Sequence, residues 1–233
     1  MITFDYQVIR RPRRKTAYIS VETDCSVWVL VPFTLTEEKV IELVNRKSRW
    51  IRTKIAHFQG INQKQKQSEY VSGESLTYLG RNYRLKIVPD AASQDVKLMD
   101  GKFYVHLPAE ADLHDRDQLI VRQLTGWYKE RAVIRLRQKT IRYAKQMGLV
   151  PVAVGLKDYS SRWASCHTDS KIYFNWKIII APHSIVDYVV VHELCHLVHP
   201  DHSKQFWKLL ETVLPDYKER KEWLKVNGSR LKI

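Results

Sequence analysis

Cysteine is scarce, with only Cys25, Cys166 and Cys195 in 233 residues. An odd number at such wide spacing excludes a disulfide framework and a CxxC zinc knot, and leads to the expectation of reduced thiols in a cytosolic compartment. Glycine and proline number eight each, too few for a collagen-like or low-complexity chain. Long hydrophobic runs are missing too. The longest are short stretches at 177–182 and 188–191, against the ~20 residues that a membrane span needs. The first ten residues mix Thr, Asp, Gln and Arg among apolar side chains and carry no signal-peptide hydrophobic region. The expectation is a soluble, cytoplasmic protein with no membrane partner. Acid is in short supply as well: 25 Asp+Glu face 39 Lys+Arg, a net charge of +14. Such an excess attracts nucleic acid, nucleotides or anionic surfaces, although a merely soluble basic protein has the same composition.

What is present is globular. Hydrophobic residues make up 44% and aromatics 11%, seven Trp among them, which a disordered chain does not carry. Short β-branched or aromatic runs at 6–9, 16–21 and 27–31 read as strands. Arg10, Arg11, Arg13, Arg14 and Lys15 surround Pro12 in the turn expected between the first two, a candidate nucleic-acid or anion contact. Thr36 is placed to cap a helix running to about residue 58, with Val40, Val44, Ile51, Ile55 and Phe58 at helical spacing. The Gln/Lys-rich stretch 60–68 is expected to be a loop or linker.

Two hairpins come next, around Gly80-Arg81-Asn82 and around Asp100-Gly101. A long helix is expected from about Asp115 to Met147, closed by Gly148 and Pro151. Its apolar stripe reads as Leu119, Ile120, Leu124, Trp127, Ile134, Ile141 and Met147. Its other positions are strongly basic, with nine Lys/Arg against two acids over 116–147. Strands at 152–156 and 171–176 flank a polar loop, and Ser184 with Asp187 three residues on reads as a capping box opening a further helix. Two more helices complete the chain, one capped by Ser203 or Asp201 and one after Pro215.

Within the helix after Ser184 lies His192-Glu193-Leu194-Cys195-His196. Two imidazoles four residues apart stand one helical turn above each other, on one face, as two ligands of a single metal ion must. The glutamate beside the first ligand is placed to take a proton from a water at the metal, as in zinc hydrolases. His202 lies beyond Pro200, where a redirected chain brings it to the same ion as a third ligand. His199 and Asp201 are its rivals. Three protein ligands with an open fourth position make a catalytic zinc geometry rather than a structural one. Cys195 is read as packing, and neither Cys166 nor Cys195 is assigned a role as nucleophile.

Residues 161–166 (Ser-Arg-Trp-Ala-Ser-Cys), 172–176 (Ile-Tyr-Phe-Asn-Trp), 192–196, and His202-Ser203 with Phe206-Trp207 closely resemble the YgjP-like metal-dependent hydrolase family. These are bacterial zincin-type proteins related to the WLM and SprT-like metallopeptidases. The resemblance extends to the basic N-terminal hairpin and to Leu79-Gly80. Ala164 stands where the family usually has Gly, and Asp201 where it often has Asn; neither removes a ligand. The resemblance implies one Zn2+ held by His192, His196 and His202, with Glu193 as base. It also implies an edge strand beside the active helix that holds an extended peptide by β-augmentation, a part that 171–176 looks able to play. Arg162, Tyr173, Asn175 and Trp176 are then substrate-binding candidates. Arg162 has the planar fork that suits an oxyanion or phosphate, while for the tryptophans Trp163 and Trp176 the competing role is packing.

The expected fold is α+β: an N-terminal, mainly β module with one helix over 1–110, then a helical zincin-like, minimal metallopeptidase domain with a small antiparallel sheet over 111–233. The expected function is zinc-dependent peptide hydrolysis. A UTP pyrophosphatase, a label the family also carries, is the first alternative, although the chain shows no P-loop and no acidic cluster for magnesium. A nucleic-acid-associated protease of the SprT-like kind is the second. The partners are accordingly a peptide or protein substrate or a nucleotide, with nucleic acid at the basic surface.

Overall fold

The computed structural model describes the chain apart from residues 1–3, 13, 23, 65–67, 90–94, 109–112 and 161, and for residues 57, 61–64, 113 and 114 it describes the backbone alone. The fold is α+β, and the chain forms two compact units, Met1–Gln67 and Ser68–Ile233. No helix among the described residues is long and apolar enough to cross a membrane.

The first unit holds β1 (Gln7–Arg11), β2 (Tyr18–Val21), β3 (Val27–Pro32) and α1 (Glu37–Lys64). Val27, Val29 and Val31 alternate inward along β3 and meet Val40, Val44 and Ile51 of α1 in one sealed core, the strand period of two against the helical period of 3.6. Thr36 does stand at the helix start, its carbonyl accepting the Val40 N–H at 3.1 Å. Two expectations change. β1 and β2 do not form a hairpin: the order is β1-β3-β2, with β1 parallel to β3 and β2 antiparallel to it. Helix α1 runs on to Lys64 through the first part of the expected loop. Gln and Lys are good helix formers, no proline intervenes, and Gly60 alone costs only about 1 kcal/mol.

In the second unit, β4 (Ser75–Tyr78), β5 (Arg81–Pro89), β6 (Val96–Met99) and β7 (Lys102–Leu107) form a sheet of order β4-β5-β7-β6. Both hairpins turn through two consecutive left-handed residues, Leu79-Gly80 and Asp100-Gly101, as tight two-residue hairpins require. The first turn sits one residue earlier than expected. It is held there because the Leu79 and Gly80 N–H groups donate to the carbonyls of Ile179 and Ile180 at 2.9 and 3.1 Å. A Cβ on Gly80 would lie 2.7 Å from the Cα of Pro182, and its φ is +77°, so space and backbone both demand glycine.

Helix α2 (Leu113–Met147) packs Trp127 and Tyr128 into this sheet, with Phe103 4.8 Å and Tyr78 5.0 Å from the Trp127 ring. The Tyr128 hydroxyl donates to the Thr77 carbonyl at 2.7 Å. That packing explains why the compact units part at 67/68 and not near 110, a boundary that itself falls outside the described residues: the apolar face of the hairpins is covered by α2.

The buried ridge of α2 is Ile120, Leu124, Tyr128, Ala132, Leu136, Thr140 and Ala144. Ile134 and Ile141, expected in the core, are 40% and 59% exposed. A ridge stepping by four residues advances about 40° per step. It therefore winds around the helix, so that one half packs on the hairpin sheet and the other on the strands and helices after residue 150. Gly148 at φ +68° closes the helix, with Leu149 N–H returning to the Ala144 carbonyl at 2.8 Å.

Past the end of α2, β8 (Ala153–Leu156), β9 (Ala164–Cys166) and β10 (Lys171–Phe174) form a sheet of order β8-β10-β9, mixed and not purely antiparallel, since β8 runs parallel to β10. A 3-10 turn, Trp176–Ile180, leads into α3 (His183–Cys195), and α4 (Lys204–Val213) and α5 (Tyr217–Asn227) come after it. α3 is apolar on nearly every face, with Ile185, Val186, Val189, Val190, Val191 and Leu194 all buried, as a helix at the centre of a core must be.

Candidate metal centre

α3 begins after Pro182, which offers no side-chain cap. The expected capping box is absent because Ser184 already lies inside the first turn and Asp187 is engaged elsewhere, with Lys139 at 2.6 Å and Arg142 at 3.3 Å. The helix also ends sooner than expected, at Cys195, with His196 as its cap. The Leu197 N–H donates to the Leu194 carbonyl, and the Val198 and His199 N–H groups to that of Cys195, a tightening turn that unwinds the helix. Past Pro200 the chain reverses into α4, whose cap is Ser203: its hydroxyl accepts the Phe206 N–H at 3.4 Å.

This reversal brings three imidazoles together. The ligand atoms of His192, His196 and His202 lie within 4.8 Å of one another, and the Nε2 atoms of His192 and His202 approach to 3.0 Å. Neither His199 nor Asp201 joins the group. His199 contributes its carbonyl instead, 3.1 Å from His196 Nδ1. An Nδ1–H donated there fixes the tautomer and leaves His196 Nε2 free as a ligand. Burial, then the neighbouring His196 and His202, hold the His192 imidazole down at about 3, so it is neutral, the form that binds metal. The group fits a metal ion by its chemistry: three imidazole nitrogens, with no thiolate or carboxylate among them, suit a borderline cation such as zinc.

An aromatic frame holds the three rings. Phe206 lies beneath all of them, 4.9, 4.7 and 4.8 Å from His192, His196 and His202. His202, the exposed member, stacks on Trp207 at 5.5 Å and 22°. Trp207 stacks in turn on Tyr217 at 5.5 Å and 19°, with Lys221 Nζ 4.1 Å from its centroid. Phe206 and Trp207 follow His202 by four and five residues, and that spacing is the one signal in the sequence of this second task.

Glu193 is 6% exposed. Burial pushes its carboxyl up to about 7, against the pull of the Cys166 backbone N–H turned toward it and of the Arg162 charge. The strand it faces is β9, not β10. β10 is central, flanked on both sides, so the stretch expected to hold a peptide is already paired. In β9 the Asn175 N–H reaches the Trp163 carbonyl at 2.7 Å and the His167 N–H reaches that of Lys171 at 2.9 Å. Antiparallel alternation then turns the backbone groups of Ala164 and Cys166 to the other side, toward the open edge and Glu193.

The substrate candidates separate accordingly. Trp176 is buried, its ring 6.1 Å from Tyr128, and belongs to the core. Asn175 is buried and fully used: its amide donates to the Tyr159 carbonyl at 2.9 Å and accepts the Lys177 N–H at 3.1 Å, which caps the 3-10 turn. Tyr173 lies on the face of β10 opposite Ile172 and Phe174, over Gly155 and 5.3 Å from the His167 ring. Arg162 is exposed, its guanidinium 5.7 Å from the Tyr159 centroid, and its charge reaches Glu193. Trp163 packs on Gly228. Burial raises the Cys166 thiol to about 11 and the Cys195 thiol to about 12, so neither supplies a thiolate.

In the first unit, Arg10 pairs with Glu37 at 2.9 Å and also bonds the Leu35 carbonyl. Arg14 donates to the Thr16 carbonyl at 2.8 Å and sits 5.7 Å from the Tyr18 ring. Arg11 and Lys15 are exposed, and Arg13 lies outside the described residues. Two of the five expected anion contacts are thus engaged within their own unit.

Residues 15–227 match the model of a protein family described as YgjP-like, metallopeptidase domain. No curated protein matches the chain. Among solved structures it is similar to the metallopeptidase zymogen abylysin of Pyrococcus abyssi, at 20% identity over 38% of this chain and 90% of that one, with a TM-score of 0.36.

Proposed function

The chain belongs to the YgjP-like family and carries its metallopeptidase domain, and from that premise we propose that it is a zinc-dependent peptidase acting on extended peptide. The observation that carries the reading is the convergence of His192, His196 and His202 next to a buried glutamate. These three residues would hold the ion, which when bound supplies Lewis acidity to a water and to a scissile carbonyl.

The other work falls to the chain's own groups. Glu193 takes a proton from the attacking water at its carboxylate and returns it to the leaving amine as the peptide C–N bond breaks. Its burial suits this, because a carboxyl poised near 7 exchanges protons with both partners at neutral pH. The outward backbone groups of Ala164 and the Cys166 carbonyl bind the substrate backbone as one further strand on the β9 edge, the Cys166 N–H being turned to Glu193. Arg162, exposed beside Glu193, meets the oxyanion with its planar fork.

The test is a mass spectrum of an unfolded protein incubated with zinc-loaded wild type and with Glu193→Gln, UTP being present in both tubes. New peptides from wild type alone are expected, with zinc retained by the variant. Equal cleavage by the two removes the role of Glu193. UMP and pyrophosphate from wild type alone, without peptides, would make the site a nucleotide hydrolase.

A further inference from the structure

The N-terminal end of α3 faces a cleft of about 250 Å3 lined by Arg135, Gln138, Lys139, Arg142 and His183. Four of the five side chains are basic. Among the described residues the acid in contact is Asp187, which is shared between Lys139 at 2.6 Å and Arg142 at 3.3 Å. Arg135 has no acidic partner among the described residues; its guanidinium meets only the Gln138 amide oxygen, at 3.3 Å. Pro182 gives α3 no side-chain cap, and the first turn holds no acid, so the positive end of the helix dipole adds to the same field. His183 feels it: burial first, then Lys139, with Arg135 and Arg81 behind it, hold its imidazole below the ordinary value against the opposing Asp187.

The cleft does not stand alone on α2. Arg131, Arg135, Gln138, Arg142 and Lys145 recur every three or four residues and share one face, over a length of about 21 Å. Arg131, Arg135, Arg142 and Lys145 are all exposed. A row of cations along a rigid helix, with a basic cleft partway along it, matches a chain of phosphates better than one isolated anion. The net charge of +14 favours the same ligand through long-range attraction.

We propose that this cleft and the α2 face beside it form a phosphate-binding track for a nucleic-acid strand, seated at the end of α3 opposite the histidine cluster. The proposal does not depend on the peptidase reading. Recognition is through the backbone and carries no base preference. Arg135 and Arg142 contact phosphate in the cleft, and Arg131 and Lys145 continue the track on either side.

The experiment is fluorescence anisotropy of a labelled 20-nucleotide single-stranded DNA against the full chain, at several salt concentrations. Three variants go beside wild type. Arg135→Glu and the double variant Arg135→Ala/Arg142→Ala alter exposed side chains in the cleft. Arg137→Glu makes the same charge change about 120° around the helix from Arg131. The expected result is at least a tenfold weaker Kd for both cleft variants and a salt slope flatter by about one unit for Arg135→Glu, with Arg137→Glu within twofold of wild type. Equal losses in Arg135→Glu and Arg137→Glu would overturn the site and leave only diffuse charge. No DNA binding at 50 mM salt would overturn it too, as would inorganic phosphate at millimolar concentration displacing the DNA completely, which would mark a single-anion pocket. Circular dichroism on each variant separates lost binding from lost fold.

Discussion

The two ends of α3 belong to one thirteen-residue helix, about 20 Å long, and they are built in opposite ways. The C-terminal end gathers three imidazoles, His192, His196 and His202, that aromatic packing holds together. The N-terminal end gathers cations that stay charged and mostly exposed. The contrast matches the two ligands proposed above, a metal ion at one end and a phosphate chain at the other. A metal ion needs lone pairs at fixed distances, so Phe206, Trp207 and the His199 carbonyl immobilise the rings. A phosphate chain needs charge more than geometry, so Arg135 and Arg142 remain on the surface. The apolar middle of the helix keeps the two chemistries apart.

The sharpest way to separate the ends is Glu193→Gln. It removes the proposed general base and should lower peptide cleavage by about a thousandfold, while zinc content and DNA affinity stay at the wild-type level, read by metal analysis and anisotropy. A parallel loss of DNA binding would mean that the ends are coupled. Gly80→Ala strikes from the other side. Its Cβ would press on the Pro182 backbone at the start of α3 and force a left-handed alanine, which should cost about 2–4 kcal/mol in urea denaturation. An unchanged midpoint would show that the N-terminal end of α3 is free to shift. Trp207→Leu should have the smallest effect, lowering zinc affinity by about 10–100-fold, as loss of outer-shell support does, with the melting transition kept cooperative. Wild-type affinity in that variant would mean that His202 needs no stacking partner.

The grouping of the three histidines was legible in the sequence because its information is local. His192 and His196 are four apart in a helix, and Pro200 turns the chain so that His202 returns. What escaped depends on partners distant in sequence. β10 reads like an edge strand, yet which strand lies at an edge is decided by β8 and β9 pairing on either side, and nothing within 171–176 encodes that. Asn175 looks like a binding residue by its polarity and is instead spent on the Tyr159 carbonyl and the Lys177 N–H. On α2, Ile134 and Ile141 were read into the apolar stripe with Leu124 and Trp127, yet these two isoleucines are exposed. The buried ridge runs instead through Tyr128, Ala132 and Thr140, residues whose modest apolarity hides a four-residue step. The basic composition of α2 was plain, but its cleft with His183 joins residues about 40–50 apart, and Asp187 ties Lys139 and Arg142 to α3 across that gap.

The central claim is that His202, and not His199, completes the metal centre with His192 and His196. The direct measurement is zinc content and affinity of wild type, His202→Ala and His199→Ala after dialysis against a weak chelator. The account predicts one zinc per chain in wild type and in His199→Ala, whose backbone carbonyl is intact, and loss of more than a hundredfold in affinity for His202→Ala. Full zinc retention by His202→Ala together with loss in His199→Ala would contradict it.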